Sequence, residues 1–179
     1  MILQVHSDAS YLSETKSRSR AGGFHFLGAY DPTSGVPPNG FIDTMSTTID
    51  VIVSSAFEAE AAAIYLNSQR ALIHRDTLHA LGYPQPATCI TSDNLTAVNI
   101  LNGDLSKKRS RCMDMRFHWV SDRMAQGQFK LVWLPGAANL ADYFTKTHPA
   151  SHYTTMRSTY VTDSTSPSSP SRIHLPIPP

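Results

Sequence analysis

Cysteine is scarce in this chain. The two cysteines, Cys89 and Cys112, form no C-x-x-C pair, so neither a disulfide framework nor a cysteine-based zinc site is expected. We therefore expect a reducing, intracellular compartment, either cytoplasmic or nuclear. Long apolar runs are also missing, and the N-terminus is already polar at Gln4 and His6. This excludes a signal peptide and predicts no membrane partner.

Charge of either sign is sparse as well. Charged residues make up 16% of the chain and the net charge is +1, which argues against a protein that coats nucleic acid without specificity. A hydrophobic content of 41% is enough for a core, and the length suits one domain with residues left over. We predict a folded domain over residues 1–148, an extension over 149–162, and a disordered Ser/Pro-rich tail over 163–179.

Strand-like and helix-like segments follow one another in the order βββ and then α-β-α-α-β-α. This order predicts an α/β protein with one mixed sheet and helices on its faces. Ser55 and Glu58 are spaced as in a capping box, and a break in the helix that follows is possible near Asn67-Ser68. The predicted strands cover residues 2–7, 21–30, 87–92 and 129–134, with a third strand inside 41–53 that ends at 49–53. Residues 10–20 are predicted to be a connection, and the predicted helices cover 56–81, 94–102, 110–126 and 139–146.

Four acids occupy special places in this pattern. Asp8 and Asp93 each end an apolar strand, Glu60 lies just inside the long helix, and Asp142 follows the last strand after a Pro-Gly turn. Four carboxylates at one edge of a sheet would hold a pair of hard divalent cations through oxygen ligands. Two such ions side by side are a device for cutting phosphodiesters.

Glu60, rather than Glu58, is the expected ligand from the long helix. Residues two apart on a helix point in nearly opposite directions, so both glutamates cannot serve one site. Glu60 shares a stripe with Phe57, Ile64 and Ala71, and this apolar stripe should face the sheet. Glu58 is better explained as a capping or solvated residue. Taken alone, Glu60 could equally be a partly exposed helix acid.

Six short motifs occur in order along residues 2–148. They are Asp8-Ala9-Ser10, Arg20-Ala21-Gly22-Gly23, Ser54-Ser55-x-x-Glu58-Ala59-Glu60, Thr91-x-Asp93-Asn94, Met113-Asp114-Met115-Arg116-Phe117-His118-Trp119, and Asn139-Leu140-Ala141-Asp142-Tyr143-Phe144-Thr145-Lys146. This ordered set resembles the ribonuclease H domain of Ty1/copia-type retrotransposon polyproteins.

The resemblance implies a ribonuclease H-like fold, a five-stranded mixed sheet whose first three strands are antiparallel, with helices on both faces. It also implies that Asp8, Glu60, Asp93 and Asp142 bind two Mg²⁺ ions, for which Mn²⁺ can substitute. The implied activity is cleavage of the RNA strand of an RNA–DNA hybrid. One ion would position and activate a water, and the other would stabilise the leaving 3′ oxygen. The reverse transcriptase and the other polyprotein parts are absent from this chain.

The order of the acids separates this chain from related nucleases. Integrase-like members need a late glutamate, and no glutamate follows Glu60; exonuclease-like members need Asp-x-Glu on the first strand, which Asp8-Ala9-Ser10 lacks. One departure from many ribonucleases H is the loop over residues 135–138, which contains no histidine. This departure puts product release or proton transfer in question, but not metal binding.

Two features suggest contact with nucleic acid. Lys107, Lys108, Arg109 and Arg111 form the dense basic patch of the sequence, and we expect them to contact backbone phosphates. The alternative is a solvated loop before a helix. Asn94, next to Asp93, is a candidate to bind substrate hydroxyls.

Three functional hypotheses remain open at this point. The first is a metal-dependent ribonuclease acting on RNA–DNA hybrids. The second is a catalytically inactive remnant, or a co-opted nucleic-acid-binding module, on the same fold. The third is an unexpressed or unstable relic. The four acids favour the enzyme, whereas the missing polymerase favours weak or no activity.

Overall fold

The computed structural model describes residues 2–28, 40–103 and 114–160. The basic patch at residues 107–111 and the tail at 163–179 lie outside these residues.

The first three strands form an antiparallel meander, as expected. They are β1 (Ile2–Glu14), β2 (Arg18–Gly28) and β3 (Asp43–Thr48). Two expectations were wrong. Residues 10–20 are not a connection, because β1 and β2 continue until a short 3-10 turn at Thr15–Ser17 joins them. The third strand ends at Thr48, before the segment 49–53 in which its end was expected.

The remaining elements follow in the predicted order up to residue 144, and the last helix was not predicted. They are α1 (Ala56–Ala80), β4 (Thr88–Ser92), α2 (Leu95–Asn102), α3 (Asp114–Ala125) and β5 (Phe129–Trp133), then a 3-10 helix (Leu140–Phe144) and a final helix, α4 (Ala150–Tyr160). The strand order across the sheet is β3-β2-β1-β4-β5, with β4 parallel to β1 and β5 parallel to β4. The prediction of a five-stranded mixed sheet is therefore confirmed.

Local signals explain where α1 begins. The Ser55 hydroxyl accepts from the backbone N–H of Glu58 at 3.2 Å, and the Glu58 carboxylate accepts from the backbone N–H of Ser54 at 2.7 Å. One unpaired donor of the first turn, the Glu58 N–H, is thus satisfied as the capping pattern predicts, while the Glu58 carboxylate reaches back to the residue before the N-cap. The helix runs without a break through Asn67-Ser68, because the Ser68 hydroxyl bonds back to the carbonyl of Ile64 and Asn67 points into the protein.

The sheet buries a different cluster on each face. Leu3 and Val5 of β1 face the main core, which α1, α2 and α3 cover. On the opposite face, Phe24 and Phe26 pack with Tyr160 of α4 and with Phe144 of the 3-10 helix. Helices therefore lie on both faces. No helix in the described part of the chain is both long and apolar enough to cross a bilayer.

Asn67 joins α1 to the meander through buried polar contacts. Its amide donates to the hydroxyl of Ser7 and to the carbonyl of Gly22, at 3.0 and 2.9 Å, and its carbonyl oxygen lies 3.0 Å from Nε2 of His25. The approach is so close that a Cβ at Gly23 would lie 2.0 Å from the Asn67 oxygen. Glycine is therefore required at position 23 for α1 to pack against β2.

Candidate metal centre

Two acids are brought together by the pairing of β1 and β4. These strands are parallel, with His6 opposite Thr91, so Asp8 and Asp93 leave the same edge of the sheet two residues further on. Carboxyl ends of parallel strands meet at one edge, where crevices form for ligands. Asp93 directly follows β4, as expected, whereas the expectation that Asp8 ends its strand was wrong, because β1 continues to Glu14. Asp8 instead lies where β1 runs past the end of β4.

Glu60 reaches this edge from α1. One of its carboxylate oxygens accepts from the backbone N–H of Ala9 at 3.1 Å, and the other accepts from the Ser92 hydroxyl at 3.2 Å. Glu60 therefore bridges the ends of β1 and β4, with its side chain turned inward as the helical stripe predicts. Glu58 instead caps the helix.

Asp8, Glu60 and Asp93 form a compact triad. One oxygen of each lies within 4.8 Å of the others, and Asp8 and Glu60 are 2% and 5% exposed. Burial, followed by repulsion from Asp8 and Asp93, raises the pKa of Glu60 to about 8. Burial also raises the pKa of Asp8 and that of Asp93. Three crowded acids whose charged forms are disfavoured are the expected signature of a site built for a cation.

Asp142 lies beside the triad but not in it. It sits in the 3-10 helix Leu140–Phe144, and its carboxylate bonds to the ammonium of Lys146 one turn later. Its negative charge contributes to raising the pKa of Asp8 and of Asp93, and the Thr145 hydroxyl bonds both the Asp142 carbonyl and the Asp8 carboxylate. The structure therefore brings three of the four predicted ligands together and places the fourth next to them with a lysine as its partner.

Two neighbours of Asp142 were not predicted as site residues. The Thr145 hydroxyl donates to the carboxylate of Asp8 and also bonds to the carbonyl of Asp142. Lys146 has a raised pKa, first because of its bond to Asp142 and further because of Asp8 and Asp93. Thr145 and Lys146 lie three and four residues after Asp142, and one helical turn brings such residues to the same side. This spacing could have identified both as site residues from the sequence.

Asp93 is held by the segment that follows β5. The indole N–H of Trp133 donates to the Asp93 carbonyl at 2.9 Å. Gly136 approaches so closely that a Cβ there would lie 2.8 Å from a carboxylate oxygen of Asp93. The Pro-Gly turn of the sequence therefore leaves room for this carboxylate.

The donor set fits a hard divalent cation. All candidate ligands are carboxylate oxygens, which suit Mg²⁺ or Mn²⁺ rather than a soft metal. Lys146 is bonded to one of these acids, Asp142. A bound divalent ion would relieve the repulsion within the triad.

The predicted nucleic-acid contacts stay predictions, for a different reason in each case. Lys107, Lys108, Arg109 and Arg111 lie outside the described residues, so their role stays a prediction. Asn94 caps α2, with its side-chain oxygen accepting from Ala97 at 3.0 Å. That oxygen is therefore engaged, and a contact between Asn94 and substrate also stays a prediction.

A polar cavity of about 440 Å³ opens next to the triad. Thr145, which bonds Asp8, and Lys146, which bonds Asp142, belong to its wall, whereas none of the four acids lines it. Five hydroxyl side chains line it: Ser10, Ser13, Ser46, Thr145 and Thr147.

The strand order and the position of the acids define a ribonuclease H-like fold, and solved structures agree. LC11-RNase H1, isolated from compost by a metagenomic approach, matches with a TM-score of 0.57 and 13% identity over 80% of this chain and 91% of its own. The N-terminal ribonuclease H domain of a Mycobacterium tuberculosis protein matches with a TM-score of 0.55 and 14% identity over 80% and 95% of the two chains. At such identities these matches show the fold alone.

Similarity in sequence points to a mobile element. The chain is 23% identical over 152 residues to the retrovirus-related Pol polyprotein from transposon TNT 1-94 of Nicotiana tabacum. The match covers 85% of this chain but 11% of that polyprotein. No family model matches the chain. The resemblance to the ribonuclease H domain of a retrotransposon polyprotein is confirmed, whereas its copia-type subdivision stays a prediction.

Proposed function

We propose that this protein is a divalent-metal-dependent endonuclease that cleaves the RNA strand of RNA–DNA hybrids. The observation that carries the proposal is the convergence of Asp8, Glu60 and Asp93 within 4.8 Å on a ribonuclease H-like fold. Similarity to a retrotransposon polyprotein adds support, because such a protein has RNA–DNA hybrids to process.

In this proposal Asp8, Glu60, Asp93 and Asp142 hold two Mg²⁺ ions, and Mn²⁺ can replace them. Metal held by these residues would supply an activated water for in-line attack on phosphorus and would stabilise the leaving 3′ oxygen. Ala9 and Ser92 fix the Glu60 carboxylate, and Thr145 fixes that of Asp8. The Asp142 carboxylate becomes available when Lys146 moves away.

Several observations support a hybrid substrate. A crystal structure of LC11-RNase H1, with a TM-score of 0.55 to this chain, is a complex with an RNA/DNA hybrid. The hydroxyl-lined cavity beside Asp8 and Asp142 offers donors and acceptors to ribose hydroxyls. Lys107, Lys108, Arg109 and Arg111 would contact backbone phosphates, and Asn94 would add a contact near Asp93.

The setting of this activity belongs to the same proposal. The chain spans 11% of the length of the polyprotein that it resembles, so reverse transcriptase and the other polyprotein parts are its natural partners. We place the protein inside the cell, in the cytoplasm or nucleus, and assign it to the copia type.

A duplex panel tests the proposal. Labelled hybrid, RNA duplex, DNA duplex and single-stranded RNA are incubated with the protein in Mg²⁺ or Mn²⁺. We expect cleavage of RNA in the hybrid alone, and we expect Asp142→Asn to reduce it by at least a hundredfold while the circular dichroism spectrum stays unchanged. Retained cleavage in Asp142→Asn would remove this residue from the site.

The same panel separates the alternative function. A folded protein that binds hybrid and cleaves nothing in either metal would be a nucleic-acid-binding module or an inactive remnant. Binding is measured in parallel by fluorescence anisotropy, so loss of activity is not confused with loss of substrate contact.

A further inference from the structure

The segment that carries Asp142 is a short 3-10 helix, Leu140–Phe144, tied to the sheet on one side. Short 3-10 helices have strained hydrogen bonds and depend on their surroundings. Just before the helix, the Asn139 amide donates to the Ser7 carbonyl at 2.9 Å, and the Leu140 N–H donates to Nδ1 of His6 at 3.1 Å. These bonds fix the start of the segment against β1.

Helix α4 holds the same segment from the other side. The Tyr160 hydroxyl, at the end of α4, donates to the carbonyl of Leu140 at 2.7 Å. Leu140 lies two residues before Asp142, and Tyr160 is 7% exposed. A buried tyrosine whose hydroxyl meets a main-chain carbonyl at this point limits how far the backbone before Asp142 can shift.

Aromatic rings restrict the backbone directly after Asp142. The ring of Tyr143 stacks on that of Tyr160 with centroids 4.3 Å apart and planes 28° apart. On the same ring, His148 stacks at 5.5 Å and His152 at 6.0 Å. Moving Asp142 would therefore disturb contacts on both sides of it.

We propose that Tyr160 is a positioning residue for Asp142, and that α4 is an integral part of the metal centre. This inference rests on the proposed function, in which Asp142 is a metal ligand. It makes the segment over residues 149–160 necessary for activity, although none of its side chains belongs to the acidic set.

Tyr160→Phe tests the inference because it removes the hydroxyl and keeps the stacked ring. The matched control is Tyr65→Phe, which also removes a hydrogen-bonded hydroxyl but lies on α1. The Tyr65 hydroxyl accepts from the side-chain amide of Gln69 at 2.8 Å, outside the Asp142 segment. Three quantities are compared with the wild type: amide hydrogen exchange over residues 140–145, Mn²⁺ affinity by calorimetry, and kcat with KM on hybrid.

In Tyr160→Phe we expect amide exchange over residues 140–145 to be roughly fivefold faster. Mn²⁺ affinity and kcat should fall by a similar factor. A factor of about five corresponds to the net contribution of one hydrogen bond. KM for the hybrid should stay unchanged, and Tyr65→Phe should match the wild type in all three. Equal exchange and equal Mn²⁺ affinity in Tyr160→Phe and wild type would overturn the inference.

Failure of the proposed function gives a different result. A wild type that neither binds Mn²⁺ nor cleaves hybrid would contradict the metal-dependent nuclease. The exchange comparison needs no metal, so it still decides whether Tyr160 holds the Asp142 segment.

Discussion

Among single residues, Glu60 is the acid whose titration the fold changes most clearly. Burial, with repulsion from Asp8 and Asp93, raises its pKa from 4.5 to about 8. Between these two pH values the unfolded chain carries an ionised Glu60 while the folded chain keeps the proton. The folded state is therefore penalised increasingly as pH rises from about 4.5 to about 8.

Glu60→Gln should relieve this penalty in the absence of metal. Its amide can keep the contacts with Ala9 and Ser92, so we expect the free energy of unfolding at pH 7 to rise by on the order of 3 kcal/mol. The advantage should vanish as pH falls towards 4.5. Urea unfolding in EDTA across this pH range measures it.

The control for this prediction is Glu58→Gln, two positions earlier. Glu58 accepts from the Ser54 N–H and hydroxyl, so its replacement should destabilise the helix start instead. Mg²⁺ should stabilise the wild type and Glu58→Gln more than Glu60→Gln. A wild type and Glu60→Gln with the same stability at every pH would show that Glu60 titrates normally.

Single residues also show what local sequence can predict about the site. Asp8, Glu60 and Asp93 could be found because a strand end or a helical stripe decides where each side chain points. The partner of Asp142 could not be predicted in this way. The direction of a side chain on a short 3-10 helix depends on the residues that pack around it. The sequence spacing shows that Thr145 and Lys146 lie one turn after Asp142. It does not show that the side chain of Thr145 bonds Asp8 and that of Lys146 bonds Asp142, because this depends on the tertiary structure.

At the scale of elements, the contact between α1 and β2 depends on a pair of residues, Asn67 and Gly23. The side chain of Asn67 forms hydrogen bonds with polar groups of Ser7, Gly22 and His25 in the interior. It fits there because Gly23 has no side chain. The sequence suggested that Asn67-Ser68 could break the helix. Both side chains are instead bonded inside, so tertiary contacts override a weak helix preference.

Gly23→Ala should destabilise the protein by about 3 kcal/mol, because its Cβ would meet Asn67. In an Asn67→Ala background the added cost should fall to about 1 kcal/mol, since the clash with Asn67 is gone and the tight contact with the Met45 Cβ, at 3.2 Å, remains. Denaturant unfolding of the two single variants and the double variant measures this coupling. Gly28→Ala is the control for coupling to Asn67. Its Cβ would meet side-chain atoms of Phe26 and Gln4 and no atom of Asn67, so its effect should be the same with and without Asn67→Ala. Additive effects of Gly23→Ala and Asn67→Ala would contradict the packing described here.

The first hairpin shows a second limit of pattern reading. Residues 10–20 are polar, which is typical of a connection, yet they extend two strands. Their polar groups pair with one another: Arg20 donates to Glu14 at 2.6 Å, and the hydroxyls of Ser10 and Ser13 are 2.6 Å apart. Hydrophobic periodicity cannot detect a strand whose partners are charges and hydroxyls.

For the whole molecule, the order of elements was predictable and the role of the C-terminus was not. Glycines closed the helices, so the order of strands and helices was clear along residues 2–134 even though residues 10–20 were wrongly assigned. Helix α4 was missed because most of it is exposed. The four-residue spacing of His152, Met156 and Tyr160 could have predicted this helix. These side chains pack towards Tyr143 and the cluster of Phe24 and Phe26.

The central claim is that the acidic triad cleaves RNA paired with DNA. Single-turnover cleavage of a labelled RNA–DNA hybrid in Mg²⁺ tests it most directly, with wild type beside Asp93→Asn and with EDTA as a blank. We predict cutting of the RNA strand by the wild type and a loss of at least a hundredfold in Asp93→Asn, with hybrid binding retained. Equal cutting by both proteins, or none by a folded wild type that binds hybrid, would contradict the account.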